Sequence, residues 1–403
     1  MKKVVLSVFA LVVAQQAIAQ NQLDAPADYV RYQAITTGVP FLLINADARA
    51  AGMGDMGVAT SADVFSQQHN AAKYAFAEKS QGFAVSYTPY MSKISSDISL
   101  AQLNYYNRFN ERNAVGASLR YFGLGDIDFT GLDGSAMGTY SPNEFAFDVS
   151  YTIRLTDQFA GAITGRYISS NLQLAGDREG KANSVAVDIS GYYESDIISN
   201  GNSDGRFKAG FAIQNLGPKI SYTDDQLSEN FLPTNLRLGA GYDFILDQYN
   251  TISVYGEATK LLVPTPQEPE WLDLDGDGQL SAAEISTART KNLNEYRSIG
   301  WLKGVGKSFG DAPGGFGEEM KEFTWALGAE YWYQDSFAFR GGYFHESEVK
   351  GARQYATLGA GFKYNTVKVD VSYLFGMGKI QNPLDSTLRF SLTFNFGDSY
   401  YKR

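Results

Sequence analysis

The sequence predicts an all-β fold, a transmembrane antiparallel β-barrel of about 14 strands with an N-terminal plug segment, and three observations carry the prediction. Apolar residues recur at every second position over segments of about 10 residues, long enough for a tilted strand to cross the hydrocarbon of a membrane. The connections between these segments alternate between short and long. No run after the amino terminus reaches the roughly 18 consecutive apolar residues that a spanning helix needs.

Taken in order, Lys2 and Lys3 precede an apolar run from Val4 to Ala14, and Ala17-Ile18-Ala19 offers the small residues of a cleavage site. Residues 1–19 therefore read as an export signal peptide, with the mature chain expected to begin at Gln20. Residues 20–79 do not alternate and contain Val39-Pro40-Phe41-Leu42-Leu43-Ile44, a stretch too apolar to stay solvated as a disordered tail. They are expected to form a plug inside the barrel of residues 80–403.

Strands are expected to begin near Gly82, Asp97, Asn113, Asn143, Phe159, Ala182, Arg206, Thr234, Asn250, Lys321, Ser336, Gln354, Thr366 and Ser386. The fourth shows the pattern plainly: Phe145, Phe147, Val149, Tyr151 and Ile153 alternate with Ala146, Asp148, Ser150 and Thr152. Val367 to Phe375 and Leu388 to Phe396 repeat it. Short connections at Leu155 to Gln158, Leu246 to Gln248, Gln334 to Asp335 and around Asn365 all follow even-numbered strands. Long ones, at Gly123 to Pro142, Asn215 to Pro233 and Lys260 to Met320, follow odd-numbered strands. In an outer-membrane barrel this order implies a periplasmic N-terminus and large external loops. Glu194 to Gly205 does not fit, being long where a short turn belongs.

Composition agrees with this architecture. There are 26 Tyr, 26 Phe and 41 Gly, yet hydrophobic residues make up only 44%, so apolar side chains are interleaved with polar ones. The mean hydropathy of -0.24 says the same. The absence of cysteine excludes disulfides, thiol chemistry and cysteine-ligated metals, and two histidines leave little for metal catalysis. A net charge of -10 argues against a nucleic-acid surface, although soluble external loops account for it equally well.

The sharpest local motif runs from Asp273 to Glu284 and matches the calcium loop of an EF-hand. Calcium takes about six to eight hard oxygens. Asp273, Asp275 and Asp277 would supply carboxylates, Gln279 a backbone carbonyl, Ser281 a direct or water-bridged contact and Glu284 both carboxylate oxygens, with Gly278 making the turn. Ser281 to Tyr296 suits an exiting helix, whereas Pro264, Pro266 and Pro269 exclude an entering one. The alternative is an acidic loop kept soluble by its charge. Bound Ca2+ would play a structural part, ordering the external loop.

Gly52-x-Gly54-x-x-Gly57 has the letters of a dinucleotide fingerprint without the strand and βαβ unit the chemistry requires, so these glycines read as close packing of the plug. Arg120, Asp148, Asp188, Glu330, Arg340, Lys368 and Asp370 fall on lumenal faces, where they either line a path or pair with one another and the plug. Tyr105, Tyr106, Trp325, Tyr331, Trp332 and Tyr333 read as interfacial girdles. Phe122, Leu124, Phe231, Leu232, Trp301 and Leu302, assigned to external loops, are the candidates for partner or cargo contact. His69 beside the plug and His345 in an external loop make no catalytic constellation, and no enzyme activity is expected.

Two stretches, Ala34 to Ile44 continuing through Asp47-Ala48-Arg49-Ala50-Ala51-Gly52-Met53-Gly54-Asp55, and Asn382 to Phe390, resemble the outer-membrane shuttle proteins of type IX secretion. These belong to the FadL-like barrels, the long-chain fatty-acid transporter family. His69-Asn70-Ala71-Ala72 is similar to the Asn-Pro-Ala element of the fatty-acid transporters, with Ala71 in place of proline. The resemblance implies a fourteen-stranded barrel with a plug. It also implies a partner set comprising the translocon barrel, the C-terminal signal domains of secreted cargo and the cell-surface sortase or attachment complex, within outer-membrane lipid. The alternative it leaves open is an outer-membrane transporter of long-chain fatty acids or other hydrophobic small molecules.

Overall fold

The computed structural model describes residues 23–26, 29, 31, 34–91, 97–130, 133, 135–172, 180–199, 201, 204–223, 229–378 and 385–399. The expected signal peptide, and Asn382 to Leu384 of the second resembling stretch, lie outside them.

Fourteen long strands form one ring. They are β1 (Lys79–Pro89), β2 (Ile98–Arg108), β3 (Asn113–Leu124), β4 (Asn143–Arg154), β5 (Phe159–Asn171), β6 (Lys181–Glu194) and β7 (Asp204–Leu216). The second half is β8 (Asn235–Ile245), β9 (Asn250–Leu261), β10 (Phe323–Tyr333), β11 (Phe337–His345), β12 (Gln354–Tyr364), β13 (Val367–Gly376) and β14 (Leu388–Ser399). Each strand pairs antiparallel with its sequence neighbours, and β14 closes on β1 through registers such as Phe83↔Phe394 and Tyr87↔Phe390. Closure leaves no long edge unpaired, which is what a hydrocarbon surround demands of backbone polar groups. All fourteen expected strands are present.

Side chains follow the two-residue period. In β4, Ala146, Asp148, Ser150 and Thr152 are buried inside while Phe147, Val149 and Tyr151 are 46%, 50% and 49% exposed on the outside. Large apolar groups facing outward around a closed ring are suited to lipid. The girdle expectation is corrected by the same period. Tyr105 and Trp325 face outward, but Tyr106 is buried against Tyr74 and Trp332 lies within cation-π reach of Arg340 and Lys368 inside. Adjacent residues of a strand cannot both face the membrane.

At one end the connections are tight. Gln334 and Asp335 both have positive φ, and Ser336 N–H donates to Tyr333 O, giving the type I′ geometry that matches strand twist. The misfitting connection after β6 belongs to this end too: Ile198–Ser199 pairs with Gly205 and Asp204, so the extra length is a small hairpin extension.

The segment before β1 crosses the interior. The helical turn Ala48–Ala51 packs on β12, β13 and β14, whereas the 3-10 helix Ala71–Phe76 packs on β3 to β6 across the ring. Asp47 caps the first through Arg49 and Ala50 N–H, and Asn70 caps the second through Ala72 N–H. The chain enters β1 from the short-turn end, as expected. Residues further upstream do not lie at that end: Leu23 N–H donates to Trp271 O, and Arg31 pairs with Glu268 and Glu318 in the long β9–β10 connection.

Candidate functional site

Inside the ring much of the charge is paired, while Lys73 and Arg120 donate to backbone carbonyls. Arg49 donates from Nε and Nη2 to the two Glu330 oxygens at 2.9 and 2.7 Å, and from Nη1 to Asp63 at 2.8 Å. Glu330 is also held by Arg340 at 2.7 Å, Arg340 by Asp370 at 2.8 Å, and Asp370 by Lys368 at 2.9 Å. On the opposite wall Arg166 bridges Asp148 at 2.7 Å and Asp188 at 2.9 Å. Arg120 donates to Leu42 O of the crossing segment at 2.8 Å. All seven residues expected on lumenal faces lie inside, and their charges join wall to wall or wall to segment. A polar cavity of about 250 Å³, lined by Arg49, Asp63, Glu194 and Lys208 among others, lies beside this network.

The Gly52, Gly54 and Gly57 pattern is explained by approach distances. A Cβ on Gly57 would stand 2.3 Å from His69 Cγ, and Gly54, at φ +75°, lies against the Tyr343 backbone. The wall reciprocates at Gly342, where a Cβ would come within 2.2 Å of Met53 C. Asn70 donates its amide to Val58 O and Gly191 O, both at 2.9 Å, which anchors the segment to β6.

Over the long-loop end, residues 262–322 are tied down by a second ion cluster. Lys260 meets Glu322 at 2.6 Å and Glu319 at 2.8 Å, and Lys350 meets Glu318 at 2.7 Å and Glu322 at 2.9 Å. Arg31 reaches the same Glu318. Burial works to raise the Glu318 carboxyl, but hydrogen bonds from Lys350 and Arg31 outweigh it and hold the group down at about 2. Sequence reasoning did not single out this cluster, although Glu318 and Glu322 are spaced to share one helical face.

The acidic loop turns tightly around three carboxylates. Asp273, Asp275 and Asp277 bring carboxylate oxygens within 4.8 Å of one another, and Gly276 and Gly278 turn the chain at φ +81° and +77°. The helix Ala282–Ser298 leaves through a capping box in which Ser281 and Glu284 satisfy each other's backbone N–H groups. Glu284 accepts from Leu274 N–H at 2.6 Å and Ser281 N–H at 2.8 Å, which hold its carboxyl below the usual range. Asp277 N–H acts to lower Asp275, yet desolvation and repulsion from Asp277, Glu284 and Asp273 raise it. Of the four predicted acidic ligands, Asp273, Asp275 and Asp277 are brought together, while Glu284 lies in the first turn of the helix with its oxygens held by Leu274 and Ser281 N–H.

The six partner candidates are not one surface. Phe122 is buried within β3, stacked on Phe41 at 6.2 Å, and Phe231 and Leu232 are buried as well. Leu124 and Trp301 are half-buried, and Leu302 alone of the six is open, at 67% exposure. Apolarity without periodicity marked these residues. Phe122 and Leu232 serve the packing of the crossing segment, sharing a cluster with Val39 and Phe41, whereas Phe231 packs on Tyr296 of the external connection. His345 is also relocated: it ends β11, stacked on Trp325 at 5.0 Å, rather than lying in a loop.

A closed fourteen-stranded ring with a lipid-suited exterior, an ion-paired interior and elaborate loops at one end defines an outer-membrane β-barrel. The chain matches the family described as "Type IX secretion system protein PorV" over residues 27–268, more than half its length, and it belongs to that family. It is thus a Gram-negative outer-membrane component of a secretion system and not an enzyme. No curated protein matches the chain. Among solved structures it aligns with the Ralstonia pickettii toluene transporter TbuX at 11% identity and TM-score 0.48, covering 88% of this chain and 100% of that one. It aligns with the CymD monoaromatic hydrocarbon channel at 12% identity and TM-score 0.46, covering 88% and 99%. A Pseudomonas aeruginosa FadL homologue aligns at 10% identity and TM-score 0.43, covering 91% and 100%.

Proposed function

We propose that this chain binds the C-terminal signal domain of secreted cargo at the type IX translocon and carries it to the cell-surface sortase complex. In this reading residues 20–79 form a plug that seals the lumen, and the barrel of residues 80–403 is a membrane platform. The observation that carries it is the pairing of the crossing segment with the wall through Arg49 and Glu330. A lumen filled by buried ion pairs is poorly suited to passing an apolar solute, so recognition belongs on the external loops. Gentle detergent pull-down of the tagged protein from its native outer membrane, followed by mass spectrometry, tests the reading. Secreted proteins with a shared C-terminal domain, together with the translocon or sortase, support it. A lone barrel carrying bound lipid overturns it in favour of a hydrophobic-molecule transporter.

We also propose that Asp273, Asp275, Asp277, Gln279, Ser281 and Glu284 bind Ca2+ and order the connection between β9 and β10. The donor set supports this: hard oxygens converge on one turn, and their mutual repulsion favours a cation. Terbium luminescence with calcium competition, on the wild type and on Asp275→Asn with Glu284→Gln, tests it. Loss of the signal in the double variant is expected, with affinity on the order of millimolar for an extracellular module. An equal signal in both proteins refutes it.

A further inference from the structure

The connection between β3 and β4 is more than a loop. Ile127–Thr130 pairs with Ala136–Tyr140 in the registers Ile127↔Tyr140, Asp128↔Thr139 and Phe129↔Gly138. Among the described residues this two-stranded sheet shares no ladder with the barrel. The ladder beside β3 ends at Ile98↔Leu124 and the ladder beside β4 ends at Asn143↔Asn171, so the hairpin stands beyond both ladders of the described residues. Among the described residues neither of its outer edges has a strand partner.

Free edges recruit strands, and proteins that must avoid this place Lys or Pro on them. Residues 126–140 contain neither, nor any Arg, and carry Asp126, Asp128 and Asp133. The two faces differ in character. Ile127, Phe129 and Tyr140 share one, with the Phe129 and Tyr140 rings 5.3 Å apart. Asp126 and Asp128 lie on the other, accepting from Ser141 and Thr139 hydroxyls at 2.5 Å. A hairpin alone is marginally stable in water, and a third strand is the usual remedy.

We propose that this hairpin is a β-augmentation dock for an extended amphipathic strand of the secreted passenger, one with Lys or Arg on one face and apolar side chains on the other. Backbone hydrogen bonds along the edge would supply affinity, and the alternating faces would select the strand and its register. The proposal rests on the shuttle reading and adds to it the place and chemistry of cargo contact.

The test uses the full-length protein in its native membrane with a photo-crosslinking residue at position 127, and at Leu302 as a control site. Asp126→Asn with Asp128→Asn removes charge while keeping an acceptor for Ser141 and Thr139. Asp126→Lys with Asp128→Lys reverses the charge. Passenger crosslinking at position 127 is expected to fall about tenfold in the Asn variant and further in the Lys variant, because like charge across an interface opposes binding. Wild-type levels of crosslinking and capture in both variants, or crosslinking at position 302 and not at 127, overturn the dock while leaving the shuttle reading standing. Failure of the wild type to capture any passenger overturns both.

Discussion

Replacing Arg49 by Met tests whether the crossing segment is held by its charge pairs. Arg49 contributes two bonds to Glu330 and one to Asp63, all in the interior. Removing one member of a buried pair typically costs about 3–5 kcal/mol, because the partner is left desolvated. Glu330 keeps Arg340 at 2.7 Å, which places the expected loss near the lower end, about 3 kcal/mol. At about 1.4 kcal/mol per decade, this raises the released population of the segment roughly a hundredfold. Amide hydrogen exchange in detergent reads it directly. Amides of residues 34–77 should exchange about two decades faster while those of β10 to β13 hold their rates. Arg340→Met makes the contrast, since Glu330, Arg340 and Asp370 all belong to wall strands, and its effect should fall on those strands. Unchanged exchange of residues 34–77 in Arg49→Met, or equal acceleration of segment and wall, would refute the argument.

The remaining predictions concern packing and the external cap. Gly342→Ala sets a Cβ 2.2 Å from Met53 backbone, so the segment is expected to shift at a penalty of about 1–3 kcal/mol, seen as faster exchange around Met53 and Gly54. Phe122→Ala should destabilise by about 3–5 kcal/mol in urea or thermal unfolding, while Leu302→Ala stays within about 0.5 kcal/mol, separating buried from exposed candidates. Acidification tests the cap through Glu318. Its carboxyl lies below the usual value at about 2, so its contribution is complete above the ordinary carboxylate range and is lost as pH falls toward 2. Limited proteolysis with an acid-active protease should therefore leave residues 262–322 protected at pH near 5 and open them only as pH nears 2; cleavage already at pH near 5 would contradict this.

Much of the wall is legible in the sequence alone. Phe145 to Ile153 alternate with Ala146 to Thr152 because a strand between lipid and lumen must change surroundings at every residue, and this period survives in the one-dimensional pattern. The acidic turn was legible for a related reason: Asp273, Asp275 and Asp277 are crowded into five successive residues, so spacing alone brings their carboxylates together. Interaction surfaces were not. Phe122, Phe231 and Leu302 look alike as apolar residues between strands, yet two are buried and one is open. The β3–β4 hairpin was hidden inside what reads as a Gly- and Asp-rich connection, its strands only four and five residues long.

The sequence by itself determined the fold class, the strand count, the alternation of faces along strands such as β4, and the acidic character of the loop around Asp275. These depend on local periodicity and short-range spacing. Only the tertiary structure decided that Arg49 answers Glu330 across 281 residues, that Arg31 and Lys350 converge on Glu318, and that Leu23 and Arg31 sit at the long-loop end while the chain enters β1 from the other. Such pairings arise when ring closure brings distant positions together, and a charge carries no mark of which opposite charge the fold will place beside it.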